Sequence, residues 1–217
     1  MYDFHNIALT PIESMFLNVS ILSIIVFALL RSERRLDDSN PVAMLAILAI
    51  FGVSGRILLE PLPNIQPVTV IILLAAVYYG APRAIALAGI IALSSNLLVM
   101  GHGPWTLFQV VGWGLVGVFG AMGSNYVLKN GELNLQRLGL IAIFSAFAFD
   151  WVVSSSILMK TDISMLMPYL INGILFDLYH AVGNLVFVAW LATPLGEIML
   201  RHKVERSSKA VSDVAHN

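Results

Sequence analysis

The sequence predicts an all-α integral membrane protein with seven transmembrane helices. Three observations carry that reading. Of the 217 residues, 58% are hydrophobic and 12% charged, with a mean hydropathy of +0.84; one soluble core of this size cannot bury so much apolar surface. The apolar residues gather into runs close to the twenty or so that a helix needs to cross hydrocarbon. Basic residues fall between those runs in a strongly one-sided way.

The runs cover residues 14–31, 41–60, 65–81, 83–101, 105–127, 138–159 and 166–195. The first has no basic region before it and is followed by Arg31-Ser32-Glu33-Arg34-Arg35 rather than by a small-residue cleavage site, so it reads as a retained anchor and not as a secretory signal. The second ends at the proline-rich loop Pro61-Leu62-Pro63-Asn64-Ile65-Gln66-Pro67. The third is the shortest, because its clean apolar part is only Val68 to Ala81, with Pro67 expected in its first turn. The fourth ends at Gly101. The turn residues Gly101-His102-Gly103-Pro104 then open the fifth. The sixth starts beyond Arg137, and Pro194-Leu195-Gly196 marks the end of the seventh. The tail from Ser207 to Asn217 is polar and is expected to be disordered.

Positive charge is retained on the cytoplasmic side. With the N-terminus outside, Arg31, Arg34, Arg35, Arg83, Lys129, Arg137, Arg201, Lys203, Arg206 and Lys209 all lie inside, and only Arg56 and Lys160 fall elsewhere. The expected organisation is therefore an external N-terminus and first helix over 1–35, a membrane domain over 36–200 and a cytoplasmic polar tail over 201–217, in the cell membrane. There is no cysteine, which excludes disulfides, thiolate metal sites and a cysteine nucleophile. The net charge of -1 gives no ground for a nucleic-acid partner.

On this topology the polar residues fall in the outer half. Arg56 and Glu60 lie one turn apart near the outer end of the second helix, where they can pair with each other, contact a ligand or, for Arg56, pair with Asp150. Asn64 and Gln66 sit in the outer loop, Ser94, Ser95 and Asn96 in the fourth helix, and His102 with Thr106 at the entrance of the fifth. Trp105, Gln109 and Trp113 follow at intervals of four on one face of that helix. Asp150 and Trp151 belong to the sixth helix and Asn172 to the seventh. There Asp177, His180 and Asn184 share one stripe. Ionisable groups at this depth cost several kcal/mol unless they meet a partner or a watery cavity, and one outward-opening pocket accommodates them all. The alternatives are an interfacial aromatic belt for the tryptophans and a structural hydrogen-bonded pair for Asp177 and His180. No His-x-x-x-His pattern suggests a metal site. Small residues fill the inner halves: Ala43, Ala46 and Ala49 in the second helix, and Gly112, Gly114, Gly117, Gly120 and Gly123 in the fifth. They suit close helix packing, within the chain or against a membrane partner.

Pro63-Asn64-Ile65-Gln66-Pro67-Val68-Thr69, Ser95-Asn96, Gly101-His102-Gly103-Pro104-Trp105-Thr106 with Gln109 and Trp113, and Phe176-Asp177-Leu178-Tyr179-His180-Ala181-Val182-Gly183-Asn184 together resemble the S components, the substrate-binding membrane subunits of energy-coupling factor (ECF) vitamin transporters, and most closely the cobalamin-specific branch. The resemblance spans about residues 41 to 195. It implies a six-helix S-component-like bundle, to which the first helix here is an addition. It also implies capture of a vitamin-like molecule from outside, with cobalamin favoured, and docking on a transmembrane coupling protein driven by two cytoplasmic ATPases. The ATP chemistry belongs to those partners, and this chain has no Gly-x-x-x-x-Gly-Lys-Ser/Thr loop. In the family an Ala-x-x-x-Ala pair often marks the docking face, whereas Ala43, Ala46 and Ala49 are spaced by three. No catalytic residue, cofactor or metal is expected. The competing reading is an intramembrane enzyme with Asp150, Asp177 and His180 as acid and base groups. A retinal protein requires a lysine in the last helix, and residues 166–195 contain none.

Overall fold

The computed structural model describes residues 41–129 and 131–215, with Thr10, Ile12, Glu13, Phe16, Val19, Ser20, Ser23 and Phe27 before them. Most of the expected first helix therefore lies outside the described residues. The rest is almost entirely helical: α1 (Pro41–Leu58), α2 (Val68–Tyr79), α3 (Ala81–Ser95), a π-helical segment over Asn96–Met100, α4 (Trp105–Met122), the single turn α5 (Ser124–Val127), α6 (Leu135–Ser154) and α7 (Leu166–Ala215). Four helical stretches, Ala81–Met100, Trp105–Met122, Leu135–Met159 and Ile163–His202, are long and apolar enough to cross a membrane.

The run with the shortest clean apolar part forms the centre. α2 packs against α1, α3, α4, α6 and α7, and Val68 to Tyr78 are all buried. Twelve residues rise only about 18 Å, too little to cross a hydrocarbon layer of about 30 Å. Its neighbours cover it on all sides, so it needs no polar face. Bulky residues on the outer helices, among them Phe144, Trp190, Ile171 and Val186, are exposed instead, as expected where the surroundings are lipid rather than water.

Close approach to α2 depends on small residues. A Cβ at Gly120 of α4 would lie 2.8 Å from Ala76 Cβ and 3.0 Å from the Leu73 carbonyl oxygen, and one at Gly117 would lie 3.0 Å from Ala84 Cβ. The glycine ladder is thus a packing surface.

Three local expectations need correction. Pro194 lies inside α7, exposed on its outer face, and does not end it; local adjustment of a helix in apolar surroundings tolerates the missing N–H, and the neighbouring Gly196 lets the Tyr78 hydroxyl approach, 2.9 Å from where a Cβ would stand. The same helix continues to Ala215, into the tail expected to be disordered, whose Lys209, Ala210 and Ala215 are compatible with helix. Finally, the fifth run ends at Met122, and Leu128–Lys129 pairs antiparallel with Glu132–Leu133 in a short hairpin turned by Gly131 at φ 83°.

Candidate functional site

Successive helices are joined by short connections and so alternate in direction. The C-terminal ends of α1, α3 and α6 therefore meet the N-terminal ends of α2, α4 and α7 at one end of the bundle. Arg83, Lys129, Arg137 and Arg201 belong to the opposite end by the same rule.

At the shared end, Arg56 is almost fully buried, 2% exposed. Its Nε donates to Gln66 Oε1 at 2.9 Å, and its Nη1 donates to Ser95 Oγ and, at 3.1 Å, to Asn96 Oδ1. The guanidinium sits over the Trp113 ring, 4.9 Å from its centroid. Among the described residues no carboxylate lies within ion-pair distance of it. Asn96 passes the bonding onward, donating to Thr106 Oγ1 at 2.8 Å and to Gln109 Oε1 at 2.7 Å.

A second network lies across the end of α2. Asp150 Oδ2 faces His180 Nδ1 at 3.0 Å, and His180 Nε2 faces Thr69 Oγ1 at 2.9 Å. Trp113 Nε1 donates to the same Thr69 hydroxyl at 3.2 Å. A neutral imidazole satisfies every member: Nδ1–H donates to the carboxylate, and the hydroxyl donates to Nε2. Asn64 Nδ2 donates to Asp150 Oδ1 at 3.0 Å and to the Phe176 carbonyl at 3.2 Å, stapling the loop after α1 onto α6 and α7. Asn64 has φ 60°, a left-handed conformation that asparagine tolerates better than most residues. Phe149 stacks on Trp113 with centroids 4.4 Å apart, close to Gly112, where a Cβ would meet the Phe149 ring at 2.8 Å.

Two cavities adjoin these networks. One, of about 210 Å³, is lined by Arg56, Asn96, Met100, Trp105, Gln109, Val153, Ser154, Ser156 and Tyr169. The other, of about 170 Å³, is lined by Arg56, Asn64, Gln66, Thr69, Met100, Gln109, Trp113, Phe149 and His180. Arg56, Met100 and Gln109 border both.

Of the residues expected at the site, Arg56, Asn64, Gln66, Asn96, Trp105, Gln109, Trp113 and His180 line one cavity or both, and Asp150 holds His180 from behind. His102 stands one step back, with Nδ1 3.1 Å from Thr106 Oγ1; burial pushes its pKa below the usual histidine value, so it favours the neutral form.

The structure places the other candidates away from these two cavities. Glu60 is exposed on the turn after α1 and pairs with Arg56 no more than Asp150 does, because Arg56 is drawn inward to neutral oxygens. Asp177 is buried but accepts from Trp151 Nε1 at 3.0 Å and lines neither cavity. Asn184 donates to the Ala142 carbonyl at 3.1 Å, a contact between α7 and α6. Asn172 is exposed. Ala43 and Ala46 are exposed but Ala49 is buried in the core, since a spacing of three drifts around the helix. Among the described residues no three His, Asp or Glu side chains come together in a group that could hold a metal ion.

Met100, Phe149, Ser154, Ser156 and Tyr169 were not among the candidates, nor was Thr69. A hydroxyl alone in the apolar run after Pro67 was a usable signal for Thr69. Phe149 and Met100 carry none, being apolar residues in apolar runs.

No curated protein and no solved structure matches the chain. Residues 36–205 match a family described as a family of unknown function, DUF6580. With most of its length inside that match, the chain belongs to the DUF6580 family.

Proposed function

We propose that this chain is the substrate-capture subunit of an ECF-type importer in the cell membrane, binding a vitamin-like compound or cofactor precursor and handing it to a coupling protein and two ATPases. The observation that carries this reading is the convergence of polar side chains from α1 and the loop after it, α2, the π-helical segment, α4, α6 and α7 on two adjoining cavities at one end of an otherwise apolar bundle. Buried polar groups in a membrane protein are costly unless they serve a ligand or one another, and here they leave space between them. With the N-terminus outside, as the basic residues suggest, those cavities open outward. Each is below the usual range for ligand pockets, about 300–1,000 Å³. That favours a cargo smaller than cobalamin, whose corrin ring alone exceeds either cavity. Ala46 and Ala49, with Leu45, Ile50, Val53 and Ile90, border an apolar groove of about 490 Å³ between α1 and α3; it is the surface we assign to the coupling protein, together with Ala43.

The test is native mass spectrometry of the full chain purified from its own host. The expected result is one retained small organic molecule per chain, with Trp113→Ala and Gln109→Leu weakening retention about tenfold or more. Well-folded protein that never carries a compound, even after incubation with a panel of vitamins, would sink the proposal.

One observation favours a second reading. Thr69, His180 and Asp150 form a hydroxyl–imidazole–carboxylate relay of the kind used in nucleophilic catalysis, so the intramembrane-enzyme reading keeps two of its three expected groups, Asp150 and His180, while Asp177 faces elsewhere. Chemically altered ligand in a turnover assay, abolished by His180→Gln, would move the assignment to that class.

A further inference from the structure

The two cavities share a wall whose hydrogen-bond polarity is fixed by one residue. Arginine can only donate. Because Arg56 Nε donates to Gln66 Oε1, the amide of Gln66 has its Nε2 hydrogens left over, and Gln66 lines the 170 Å³ cavity. Because Arg56 Nη1 donates to Asn96 Oδ1, Asn96 must offer its amide nitrogen to Gln109 Oε1. Gln109, with its oxygen occupied, is left with the donors on its Nε2. The guanidinium keeps the two N–H groups on Nη2. Among the described residues none of these three nitrogens has a protein acceptor, and all three side chains line the same cavity.

The charge balance points the same way. Arg56 is buried beside neutral oxygens only. Asp150, the acid nearest in the site, has Oδ1 engaged by Asn64 and Oδ2 by His180. A buried cation without a counter-charge costs several kcal/mol, and a ligand carboxylate or phosphate would remove that penalty while accepting from the guanidinium and both amides.

Resting on the reading of this site as a ligand pocket, we infer that its ligand is a small organic anion, whose carboxylate or phosphate lies against Arg56 Nη2, Gln66 Nε2 and Gln109 Nε2. The body of the molecule then extends into the 210 Å³ cavity beside Trp105 and Tyr169. A lipid headgroup offers the same chemistry, but the small volume of the two cavities favours a soluble compound.

Matched pairs that differ in charge test this. Full-length protein in lipid-free non-ionic detergent is titrated with nicotinate and nicotinamide, pantothenate and pantothenol, biotin and biotinamide, and pyridoxal 5′-phosphate and pyridoxal. Binding is read by calorimetry and by the shift in melting temperature, and any co-purified compound is identified by mass spectrometry. The expected result is stabilisation by an acid but not by its neutral partner, or a co-purified compound that is an anion. Affinity should fall about tenfold or more in Arg56→Gln and less in Arg56→Lys, which keeps the charge but loses the fork. If Arg56→Gln does not fold, Gln109→Glu answers the question: it keeps an acceptor for Asn96 and places a negative charge on the wall, so anion binding should vanish in a folded protein. Equal affinity within each pair, a retained compound that is neutral or cationic, or undiminished acid binding by Gln109→Glu would overturn the inference and leave the capture role standing. Stabilisation by added phosphatidylglycerol, with no response to any soluble acid, would overturn it in favour of a lipid. Failure to retain or bind any compound at all would remove the capture role and the inference together.

Discussion

Trp113 shows how much a single side chain does at this site. Its N–H holds the Thr69 hydroxyl, Phe149 stacks on the indole, and Arg56 lies over the ring. Replacing it with Phe keeps an aromatic surface and removes the hydrogen bond, worth about 0.5–1.5 kcal/mol, along with part of the cation–π attraction, itself about 0.5–2 kcal/mol. Unfolding in a detergent series should therefore show a loss of roughly 1–2 kcal/mol, with ligand affinity reduced because Arg56 is less firmly held. Asp177 provides the contrast. The stripe Asp177, His180 and Asn184 was visible in the sequence, but of the three only His180 lines either of the two cavities, and Asn at 177 keeps an acceptor for Trp151 Nε1, so Asp177→Asn should leave affinity within about twofold of wild type. A large loss from Asp177→Asn, measured by the same calorimetry, would mean that the binding space extends beyond the two cavities. Sequence spacing identifies which residues share a helix face; it does not say whether that face meets the pocket or the indole of Trp151.

At the scale of the elements, hydropathy located the start of every long described helix to within a few residues, and the ends of all but α7 to within about five, because an apolar run bounded by Pro, Gly and charge is a local property. It did not rank them. α2 looked weakest by length and is the most completely buried, an arrangement that depends on α4 presenting glycine to it. Gly120→Val should therefore be severe for a substitution in a helix. Its Cβ would meet Ala76 and the Leu73 backbone, and overpacking of this kind costs about 1–3 kcal/mol. Reduced yield of monodisperse protein and a lower melting temperature are expected, whereas Gly131→Asn should be mild, since nothing lies near that position and asparagine tolerates its positive φ. If Gly120→Val behaves like wild type, the α2–α4 contact is looser than described. The end of α7 differs for another reason: proline is a local stop signal, and a helix that continues on both sides of it can absorb the missing N–H by local adjustment.

For the whole molecule, the orientation rests on the basic residues alone, and the absence of cysteine makes it simple to test. Leu62→Cys lies at the polar end and Glu132→Cys in the hairpin at the basic end, both exposed. In intact cells a membrane-impermeant maleimide should label the first and spare the second until the membrane is opened. The opposite pattern would place the cavities on the cytoplasmic side and remove the basis for capture from outside.

What the sequence determined by itself was the membrane class, the helical segments and the collection of polar residues at one end, since hydropathy, helix period and alternating direction are written in neighbouring residues. Only the tertiary structure decided which of those groups meet. Arg56 finds Gln66 ten residues away, and Ser95 and Asn96 thirty-nine and forty away, rather than Glu60 one turn along. The physical reason is rotation: one position along a helix turns a side chain by about 100°. That rotation is set by how glycines, alanines and aromatic rings on all neighbouring helices pack at once, which no local stretch encodes.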